Sequence, residues 1–491
     1  MRKLTKVTAS ILSAAMLMGT LAGCGAKQPV AEETTAATTT TESQVEVSTE
    51  VAEPVEMTQI TWWSGDLHDK ALMEGLVGDF NATIGKEKGI EIVYKVVGGD
   101  SYSQYLALAF ESGETPDLFN GSGGSLKNYV ASNYIIAYDD LPNGAELVAE
   151  YETLIPMSDV LDGKAWRLPI GSTTQALIYN KDMFKAAGLV DENGEATPPK
   201  TWDEVREYAK ILTNEAERQY GIIFPVKWGG SWIDSDLMHP AMASVGYYNG
   251  FNKATGQFDF SCMKEPMEAL LGMKEDGSVY PGADSIDNDS ARAIFAEGSI
   301  GMKFAYSWDV GVLNEQFPAQ CDWGVAPYPT VEEGVRYASR MSLTRSPFIH
   351  ANAADKLEKI EVVIEWLLSA EVVGARYAAG SLLPADFDLV KDIELGEDAP
   401  TGWAEFAAIA AISESQNVSL STDLSGERTV KDTWLDVYAG NTTVDDAIEE
   451  LNERMNRAIE TYYAAHPDEK EADYNAYVDE NWTPIKYEWD Y

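Results

Sequence analysis

The stretch MTQITWWSG at residues 57–65 is rich in β-branched and aromatic residues and reads as the first strand of a folded domain. The elements that follow it are a helix, a strand, a second helix and a short strand, at residues 68–83, 89–97, 101–114 and 115–121. This alternation predicts a parallel sheet covered by helices, in the α/β class. Because ligands bind beyond the carboxyl ends of strands in such sheets, we expect a site beside Ser64 and Asn120.

The rest of the chain continues the α/β pattern. A helix is predicted to begin at the capping box formed by Thr201 and Glu204. Two long amphipathic helices are predicted over residues 356–379 and 443–466. The tail at residues 467–491 shows no clear pattern, so the prediction of regular structure ends with the second of these helices.

The composition limits both the architecture and the partners. The chain has 491 residues, more than a single core of usual size holds, and this predicts two or more lobes. Its formal net charge of −44 excludes a nucleic-acid-binding protein and disfavours direct docking on anionic lipid. Cys262 and Cys321 have no spacing for a metal site or a cysteine nucleophile. They form either one disulfide or, with a slight preference, two buried thiols.

The first 23 residues have the pattern of a signal peptide for export. Three basic residues precede an apolar run that is too short for a comfortable membrane span. The tetrad LAGC at residues 21–24 resembles the bacterial lipobox, which implies cleavage before Cys24 and a diacylglyceryl group on its sulfur. Two acyl chains anchor a protein stably to a membrane. The alternative is an ordinary signal peptide in which Cys24 is incidental.

Residues 24–56 form a second distinct segment. They are almost entirely Ala, Thr, Glu, Ser, Gln and Val, with no aromatic residue and no apolar periodicity. Such a segment buries too little surface to offset the entropy lost on ordering. We therefore predict a disordered tether that holds a folded body away from the membrane.

The sequence carries no common catalytic or metal-binding motif. The four histidines lie in no zinc-ligand grouping, and there is no GxSxG elbow, P-loop or GxGxxG fingerprint. We therefore expect no catalysis, no metal ion and no cofactor. A pair of carboxylates at glycosidase spacing would be weak evidence, because among 80 acidic residues such a pair arises easily by chance.

Several stretches together resemble family 1 of the extracellular solute-binding proteins, the maltose-binding-protein-like subunits that capture sugars for ABC importers. They fall in the order of that family and are ITWWSGD (60–66), FESGETPDLF (110–119), DGKAWRLP (162–169), YNKDMFKAAGL (179–189), TWDE (201–204), FAEGSIGMKFAYSW (295–308), WGVAPYP (323–329) and GSLLPA (380–385). Residues 381–442 and 467–491 depart from the family pattern.

This resemblance implies the architecture of the folded part. It implies a two-lobed, type II periplasmic-binding-protein-like α/β fold, whose lobes are joined by a hinge and close on a ligand. It places lobe one at residues 57–170 plus 327–369 and lobe two at residues 171–326 plus 370–491.

The resemblance also yields aromatic candidates for ligand binding. Trp308 and Tyr306 are candidates in one loop after a predicted strand. Trp308 matches the family position whose ring stacks on sugar; the alternative is a core tryptophan. Trp228 and Trp232 flank two glycines in a loop. Glycine lets the backbone approach a ligand closely, so we expect at least one of these tryptophans to stack on the ligand.

The end of the first strand supplies further candidates. Trp62 and Trp63 point to opposite faces of that strand, and we favour Trp63 for the cleft. Ser64 and Asp66 match family positions that hydrogen-bond to sugar hydroxyls. Asp66 is explained equally well as the N-cap of the next helix.

Polar candidates elsewhere complete the predicted site. Asn120 and Ser122 follow the third strand and are plausible polar contacts, whereas Asp117 is expected to hold backbone rather than to touch ligand. Glu427 and Arg428 precede a predicted helix and are candidate contacts at the rim of the cleft.

These observations predict a lipid-anchored carbohydrate-binding protein, a monomer on the outer face of the cytoplasmic membrane of a Gram-positive-type bacterium. It would capture a sugar, expected to be an oligosaccharide because of the number of aromatic candidates, and deliver it to the permease of an ABC transporter. The alternatives are a binding protein for a non-sugar solute, a surface enzyme that acts on glycosides, and an adhesin-like display protein.

Overall fold

The computed structural model describes residues 56–482, except 67–68, 98–101, 122–124, 152–153, 155–157, 246, 331–338, 397 and 416–427. The predictions for the signal peptide, Cys24, the tether up to residue 55, Ser122 and Glu427 lie outside the described residues.

The strands are numbered in chain order. They are β1 (Thr58–Ser64), β2 (Ile90–Val96), β3 (Leu118–Phe119), β4 (Ile135–Ile136), β5 (Val160–Leu161), β6 (Lys164–Ala165), β7 (Pro169–Asn180), β8 (Tyr220–Ile222), β9 (Tyr247–Tyr248), β10 (Phe251–Asn252), β11 (Gln257–Phe258), β12 (Ile300–Tyr306), β13 (Trp323–Ala326), β14 (Ser339–Arg345), β15 (Phe348–His350), β16 (Leu383–Pro384) and β17 (Glu414–Ser415).

The α-helices are numbered in the same way, and the short 3₁₀ and π-helical segments between them are left without numbers. They are α1 (Lys70–Phe80), α2 (Lys86–Lys88), α3 (Tyr102–Ser112), α4 (Leu126–Ala131), α5 (Gly144–Ala149), α6 (Lys181–Ala187), α7 (Trp202–Leu212), α8 (Ser231–Ile233), α9 (His239–Ser244), α10 (Lys264–Glu275), α11 (Asn288–Ala296), α12 (Asp309–Gly311), α13 (Leu357–Leu367), α14 (Ala370–Ala378), α15 (Trp403–Ala411), α16 (Val430–Ala439), α17 (Val444–Ala465) and α18 (Pro467–Tyr477).

The first sheet has the strand order β2-β1-β3-β15-β4. Its strand β1 is parallel to β2 and β3, as the sequence predicts, while β15 runs antiparallel to both β3 and β4. Ile60 and Trp62 on one face of β1 are buried in the core. The Asn120 N–H donates to the Trp63 carbonyl at 3.0 Å, so the residues that follow β3 lie beside the end of β1.

Asp117 joins β1 to the segment that leads into β3. Its Oδ2 accepts hydrogen bonds from the Thr61 N–H at 2.7 Å and from the Thr61 hydroxyl at 2.8 Å. The Lys356 ammonium donates to Oδ1 at 2.8 Å. Asp117 therefore holds backbone in place, as the sequence predicts.

The second sheet is built around β7, a strand of 12 residues that is buried along almost its whole length. The strand order is β17-β14-β7-β12-β8, with β13 and β16 also paired to β7. All four direct partners of β7 run antiparallel to it, whereas β8 is parallel to β12. The second sheet is therefore mixed, in contrast to the parallel start of the first.

The buried side chains form two large clusters. One joins β1 and β2 to α1, α13 and α14, and the other joins β12 to α6, α7, α10 and α17. Cys262 and Cys321 are free thiols and not a disulfide.

The helical predictions are confirmed in part. The capping box of Thr201 and Glu204 is present, and the helix predicted over residues 443–466 is α17. The single helix predicted over 356–379 is wrong, because α13 ends at Leu367 and the Ser369 hydroxyl caps a new helix, α14, by accepting the Val372 N–H at 3.3 Å. The tail also holds a helix, α18, which the sequence reading missed.

Candidate ligand-binding site

A cavity of about 890 Å³ is lined by residues from both sheets. Gly65 and Asp66 follow β1, Asn120 and Gly121 follow β3, and Trp308 follows β12. Helix α3 and the end of β14 supply further lining residues. This volume lies in the upper part of the range of about 300–1,000 Å³ that is typical of small-molecule sites.

At the ends of β1 and β3, Ser64, Asp66 and Asn120 form a network, here called the β1–β3 wall; Asp66 and Asn120 line the cavity, and Ser64 is buried behind them. The Asn120 amide donates to Asp66 Oδ2 at 3.0 Å and to the Ser64 hydroxyl at 3.2 Å. The Ser64 oxygen also accepts the Asp66 N–H at 3.1 Å. Asp66 does not cap α1, whose N-cap position is Asp69, so its carboxylate is held at the cavity.

The tryptophan that supports this network is Trp62 and not Trp63. Trp62 is 3 % exposed, and its indole N–H donates to Asn120 Oδ1 at 3.0 Å. Because indole N–H is only a donor, it fixes the orientation of the Asn120 amide. Trp63 points to the other face of β1, half-buried, with the Lys95 ammonium 4.6 Å from its ring centroid. Trp63 is not among the described residues that line the cavity.

The surroundings of Asp66 raise the pKa of its carboxyl. Burial is the main cause and the nearby Asp69 carboxylate is the next, while Arg376 and the hydrogen bonds from Ser64 and Asn120 act in the opposite direction. The Asp66 side chain is nevertheless exposed to solvent. The burial that raises its pKa therefore comes from the surrounding walls of the cavity and not from a position in the hydrophobic core. Asp66 is thus a hydrogen-bond acceptor in a partly desolvated position.

Two arginines and one aspartate form a cluster on the cavity wall. The Nε atoms of Arg167 and Arg345 lie 3.4 and 2.6 Å from Asp159 Oδ1, and Asp159 is 0 % exposed. Arg167 also donates to the Gly121 carbonyl at 2.9 Å, which ties the cluster to the loop after β3. Burial, followed by the like charge of Arg345, lowers the pKa of Arg167 to about 10, while Asp159 opposes this shift. Arg167 therefore stays protonated at neutral pH.

The part of the lining after β12, here called the β12 wall, is formed by Trp308 with Tyr306 and Asp309 behind it. Trp308 is half-buried, and its ring stacks on that of Tyr306 with centroids 4.2 Å apart and planes inclined by 14°. Tyr306 is buried and is not among the described residues that line the cavity. Because Tyr306 covers one face of the indole, only the other face is left to stack on a ligand.

Buried charges hold the loop that carries Trp308. Asp309 is 2 % exposed, and its Oδ2 accepts the Tyr306 N–H at 3.3 Å. Arg292 Nη2 lies 2.5 Å from Asp309 Oδ1, and Lys303 Nζ lies 3.9 Å from Oδ2. Arg292 also pairs with the exposed Asp289 at 2.8 Å.

A second buried carboxyl, Asp236, interacts with the same charges. It accepts a hydrogen bond from the Ser235 hydroxyl at 2.8 Å, and no donor among the described residues reaches its Oδ2. Burial raises the pKa of Asp236 to about 6, while Lys303 acts in the opposite direction. The β12 wall thus rests on ionisable groups that are removed from water.

The other two predicted tryptophans are separated from the cavity. Trp228 is 41 % exposed and is not among the described lining residues. Trp232 is 0 % exposed and packs edge-on against Tyr438, so the expectation that it contacts a ligand is corrected: it is a core residue. The group that packs closely on Gly230 is the Lys431 side chain and not a ligand, since a Cβ at position 230 would lie 2.4 Å from Lys431 Cβ.

Arg428 is engaged with α16. Its Nη2 lies 2.5 Å from Asp436 Oδ2 and donates to the Asp432 carbonyl at 2.8 Å. Its side chain is 51 % exposed, and it is not among the described residues that line the cavity. Neither Arg428 nor Trp228 is among the described residues that line the cavity, so ligand contacts by these two residues stay predictions.

Several lining residues were missed by the sequence reading. They are Tyr102 and Phe110 of α3, Tyr129 of α4, Arg167 and Arg345. A signal for the first two was present, because Tyr102 and Phe110 are eight residues apart and so share one face of a helix. Arg167 lay inside the family-like stretch DGKAWRLP but was not singled out.

Two further properties concern the described part of the chain alone. There, no group of three or more His, Cys, Asp or Glu side chains converges to hold a metal ion. None of the helices in that part has the length and apolar character needed to cross a bilayer.

Known proteins with similar sequences are binding proteins. The maltotriose-binding protein of Pyrococcus abyssi (strain GE5 / Orsay) is 26 % identical over 237 residues, which cover 48 % of this chain and 47 % of that protein. The sn-glycerol-3-phosphate-binding periplasmic protein of Brucella abortus (strain 2308) is 24 % identical over 303 residues, which cover 56 % of this chain and 62 % of that protein. The chain thus spans less than two thirds of the length of these relatives.

A solved structure shares the fold. The GacH receptor of Streptomyces glaucescens, solved without ligand and with acarbose, aligns with a TM-score of 0.62 at 16 % identity, over 82 % of this chain and 98 % of that chain. Similarity at this identity shows the fold alone. It confirms the predicted type II periplasmic-binding-protein fold of the α/β class.

The sequence profile of one family covers both walls of the cavity. The family described as bacterial extracellular solute-binding protein matches residues 64–374, which is more than half of the chain and includes Asp66, Asn120 and Trp308. The resemblance on which the sequence analysis relied is thereby confirmed, and the chain belongs to the bacterial extracellular solute-binding protein family.

Proposed function

We propose that this protein captures a carbohydrate, expected to be an oligosaccharide, in the cavity and delivers it to the permease of an ABC importer. The observation that carries the proposal is that Trp308 lines the same cavity as Asp66 and Asn120. Sugar rings have apolar C–H faces that pack on an aromatic ring and hydroxyl groups that hydrogen-bond to carboxylates and amides. The two walls offer both kinds of contact.

The relatives support this proposal. One of them is named as a maltotriose-binding protein, and the GacH receptor was solved in complex with acarbose. These ligands are those of the two relatives. They are the reason to test oligosaccharides first.

The mechanism that we propose is binding without chemistry. Lobe one at residues 57–170 plus 327–369 and lobe two at residues 171–326 plus 370–491 would close around the sugar and open to release it. Ligand shifts such an equilibrium only if it binds the closed form more tightly than the open form. The β1–β3 wall lies in the proposed lobe one and the β12 wall in the proposed lobe two, so a ligand that touches both walls favours closure.

We propose that the folded part is held at the outer face of the cytoplasmic membrane by lipid on Cys24. This proposal rests on the basic and apolar segment before Cys24 and on the polar composition of residues 24–56. A monomer on a tether suffices for delivery to the permease. Incorporation of labelled palmitate into the wild-type protein, absent in Cys24→Ala, would establish the anchor.

An anionic solute is the second candidate ligand. Arg167 and Arg345 both line the cavity, and a relative is named for sn-glycerol-3-phosphate binding. Phosphate and carboxylate groups are the natural partners of arginine. The two candidate ligands differ in charge, because the sugar is neutral and this solute is anionic.

A titration decides between the two. The purified protein would be titrated by calorimetry with neutral oligosaccharides and with sn-glycerol 3-phosphate, and each ligand would then be recovered and analysed. Saturable binding of an intact neutral sugar, lost in Trp308→Ala and kept in Trp228→Ala, supports the proposed function. Binding of the phosphate compound alone supports the second candidate. Recovery of cleaved sugar would overturn binding without chemistry in favour of a glycoside-active enzyme.

A further inference from the structure

We propose that one face of α3, together with Tyr129 of α4, forms a second ring-stacking subsite in the cavity, in addition to Trp308. The ligand is then an oligosaccharide of at least two sugar units, with one unit on Trp308 and another on this face. The inference rests on the proposed carbohydrate function and makes it more specific.

The spacing along α3 defines the face. Tyr102, Leu106 and Phe110 line the cavity at intervals of four residues, so they lie on one side of the helix. At 1.5 Å per residue they extend over about 12 Å along the helix axis. Tyr129 adds a further ring, with its centroid 5.6 Å from that of Phe110. A wall of this length exceeds what one sugar ring covers.

The ring of Tyr102 is held in position from two sides. Its hydroxyl oxygen lies 2.7 Å from the Asn120 carbonyl oxygen and 3.0 Å from the Trp63 carbonyl oxygen, and its single hydrogen is shared between these two acceptors. A Cβ at Gly65 would lie 2.9 Å from Tyr102 Cγ, so the ring packs directly on the glycine backbone. Tyr102 therefore joins the α3 face to the ends of β1 and β3, where the polar network of Asp66 lies.

The ring of Phe110 is held by other aromatic rings. Tyr134 stacks on it with centroids 4.8 Å apart and planes inclined by 7°, and Phe119 meets it edge-on at 5.3 Å. Phe110 is nevertheless only half-buried, because the cavity lies beside it. Rings that are fixed before the ligand arrives bind it with less loss of side-chain entropy.

The chemistry of the face suits a sugar. Tyr102, Phe110 and Tyr129 offer apolar rings, and the hydroxyls of Ser103 and Ser125 line the cavity next to them. An apolar surface edged with hydroxyl groups matches a pyranose, which has apolar faces and a polar rim. The cavity volume of about 890 Å³ agrees with a ligand larger than a monosaccharide.

Ala107 provides the means to block this subsite alone. It lies on α3 among the lining residues and is exposed, so a larger side chain there enters the cavity without entering the core. Leu108 is the matched control, because it lies on the same helix, is 59 % exposed and is not among the described lining residues. The test compares Ala107→Trp with Leu108→Trp.

The experiment measures dissociation constants by calorimetry, because the added tryptophans would disturb fluorescence. The probes are α-glucan, xylan and chitin oligosaccharides of one to four units. We expect wild-type affinity to rise with chain length, and Ala107→Trp to weaken binding of the longer members by roughly tenfold or more while the monosaccharide changes little. Leu108→Trp should match the wild type throughout.

The other outcomes overturn the inference and show where it fails. Affinity that does not rise with chain length, or equal loss of all chain lengths in Ala107→Trp, shows a single subsite and leaves the carbohydrate function standing. Unchanged binding of every length in Ala107→Trp shows that the α3 face does not touch the ligand. No binding of any sugar by the wild-type protein overturns the proposed function together with this inference.

Discussion

The two walls of the cavity are held in place by different interactions. In the β1–β3 wall, Ser64, Asp66 and Asn120 hydrogen-bond to each other, and Asp66 is exposed to solvent. In the β12 wall, Trp308 rests on Tyr306, whose backbone is bonded to a buried aspartate paired with Arg292. Water can replace a lost hydrogen bond in the first wall, but it cannot reach a charge left alone in the second. Removal of a carboxylate that pairs with buried cations in the second wall should therefore cost stability, and substitutions in the first wall should cost mainly affinity.

The strongest test of this difference is Asp309→Asn. It leaves the buried Arg292 and Lys303 without their shared carboxylate, so we expect the free energy of unfolding to fall by about 3–5 kcal/mol. Urea unfolding measures this change. Asp289→Asn is the matched control, because Asp289 pairs with the same arginine but its side chain is 72 % exposed; we expect a change within about 0.5 kcal/mol. Equal losses in the two variants would show that burial of Asp309 does not matter.

The next effect concerns Asp236 and pH. Because its pKa is about 6 in the folded protein, above the value of 3.8 in the unfolded chain, the folded state keeps this proton at a pH where the unfolded chain has lost it. Stability should therefore fall as the pH rises from about 4 to about 6. Asp236→Asn should remove this component and be more stable at neutral pH, by up to about 3 kcal/mol.

A group with the opposite shift provides the control for Asp236. The hydrogen bond from Arg206 lowers the pKa of Asp276, so its contribution to stability is present at neutral pH and is lost as the pH falls. Thermal unfolding of Asp236→Asn and Asp276→Asn across pH should give changes of opposite slope. A stability profile of Asp236→Asn parallel to that of the wild type would contradict the assignment.

A smaller effect is expected for the ring itself. Trp308→Ala removes the stacking surface but leaves the buried charges intact, so affinity for the sugar should fall by about 2 kcal/mol, roughly 30-fold. Stability should change less than in Asp309→Asn. Trp228→Ala tests the sequence-based prediction of a contact by Trp228; because this tryptophan is exposed and lies outside the described cavity lining, we expect the variant to bind as the wild type does. If calorimetric titration showed weaker sugar binding by Trp228→Ala than by Trp308→Ala, the assignment of Trp308 as the stacking residue would be wrong.

The smallest effect is expected in the β1–β3 wall. Asp66→Asn keeps the shape of the side chain and weakens hydrogen bonds from sugar hydroxyls, so affinity should fall by about 1 kcal/mol with little change in stability. Protonation of Asp66 should weaken sugar binding. Because the pKa of Asp66 is raised, this loss of wild-type affinity on acidification should begin at a higher pH than it would for an aspartate with an ordinary pKa. Asp66→Asn should lack this dependence, and Asp79→Asn, an exposed control on α1, should retain it.

The sequence predicts the β1–β3 wall and Trp308 better than it predicts the environments of Trp228 and Trp232, for physical reasons. Parallel strands that alternate with helices bring strand ends together, and this places Asp66 beside Asn120 without knowledge of distant contacts. The environments of Trp228 and Trp232 depend instead on how α16 packs, since Lys431 reaches Gly230 and Tyr438 covers Trp232. Local pattern carries no information about such contacts.

Other missed features have the same origin. The division of residues 356–379 at Ser369 depends on one hydroxyl that accepts a backbone N–H, and an amphipathic pattern continues through it. Arg167 and Arg345 are far apart in sequence and meet only because Asp159 lies between them. Their place on the cavity wall follows from the tertiary structure alone.

The long central strand β7 sets the order in which the protein can assemble. Its direct partners come from residues 300–306, 323–326, 339–345 and 383–384, all more than a hundred positions further along the chain. A ribosome must therefore add most of the polypeptide before β7 finds its neighbours. Pairings of such long range fold slowly, because loop closure costs entropy before contacts repay it. The newly made chain thus stays unfolded for longer than one with local pairings, and such a delay would serve the proposed export, in which an unfolded polypeptide is threaded through a membrane.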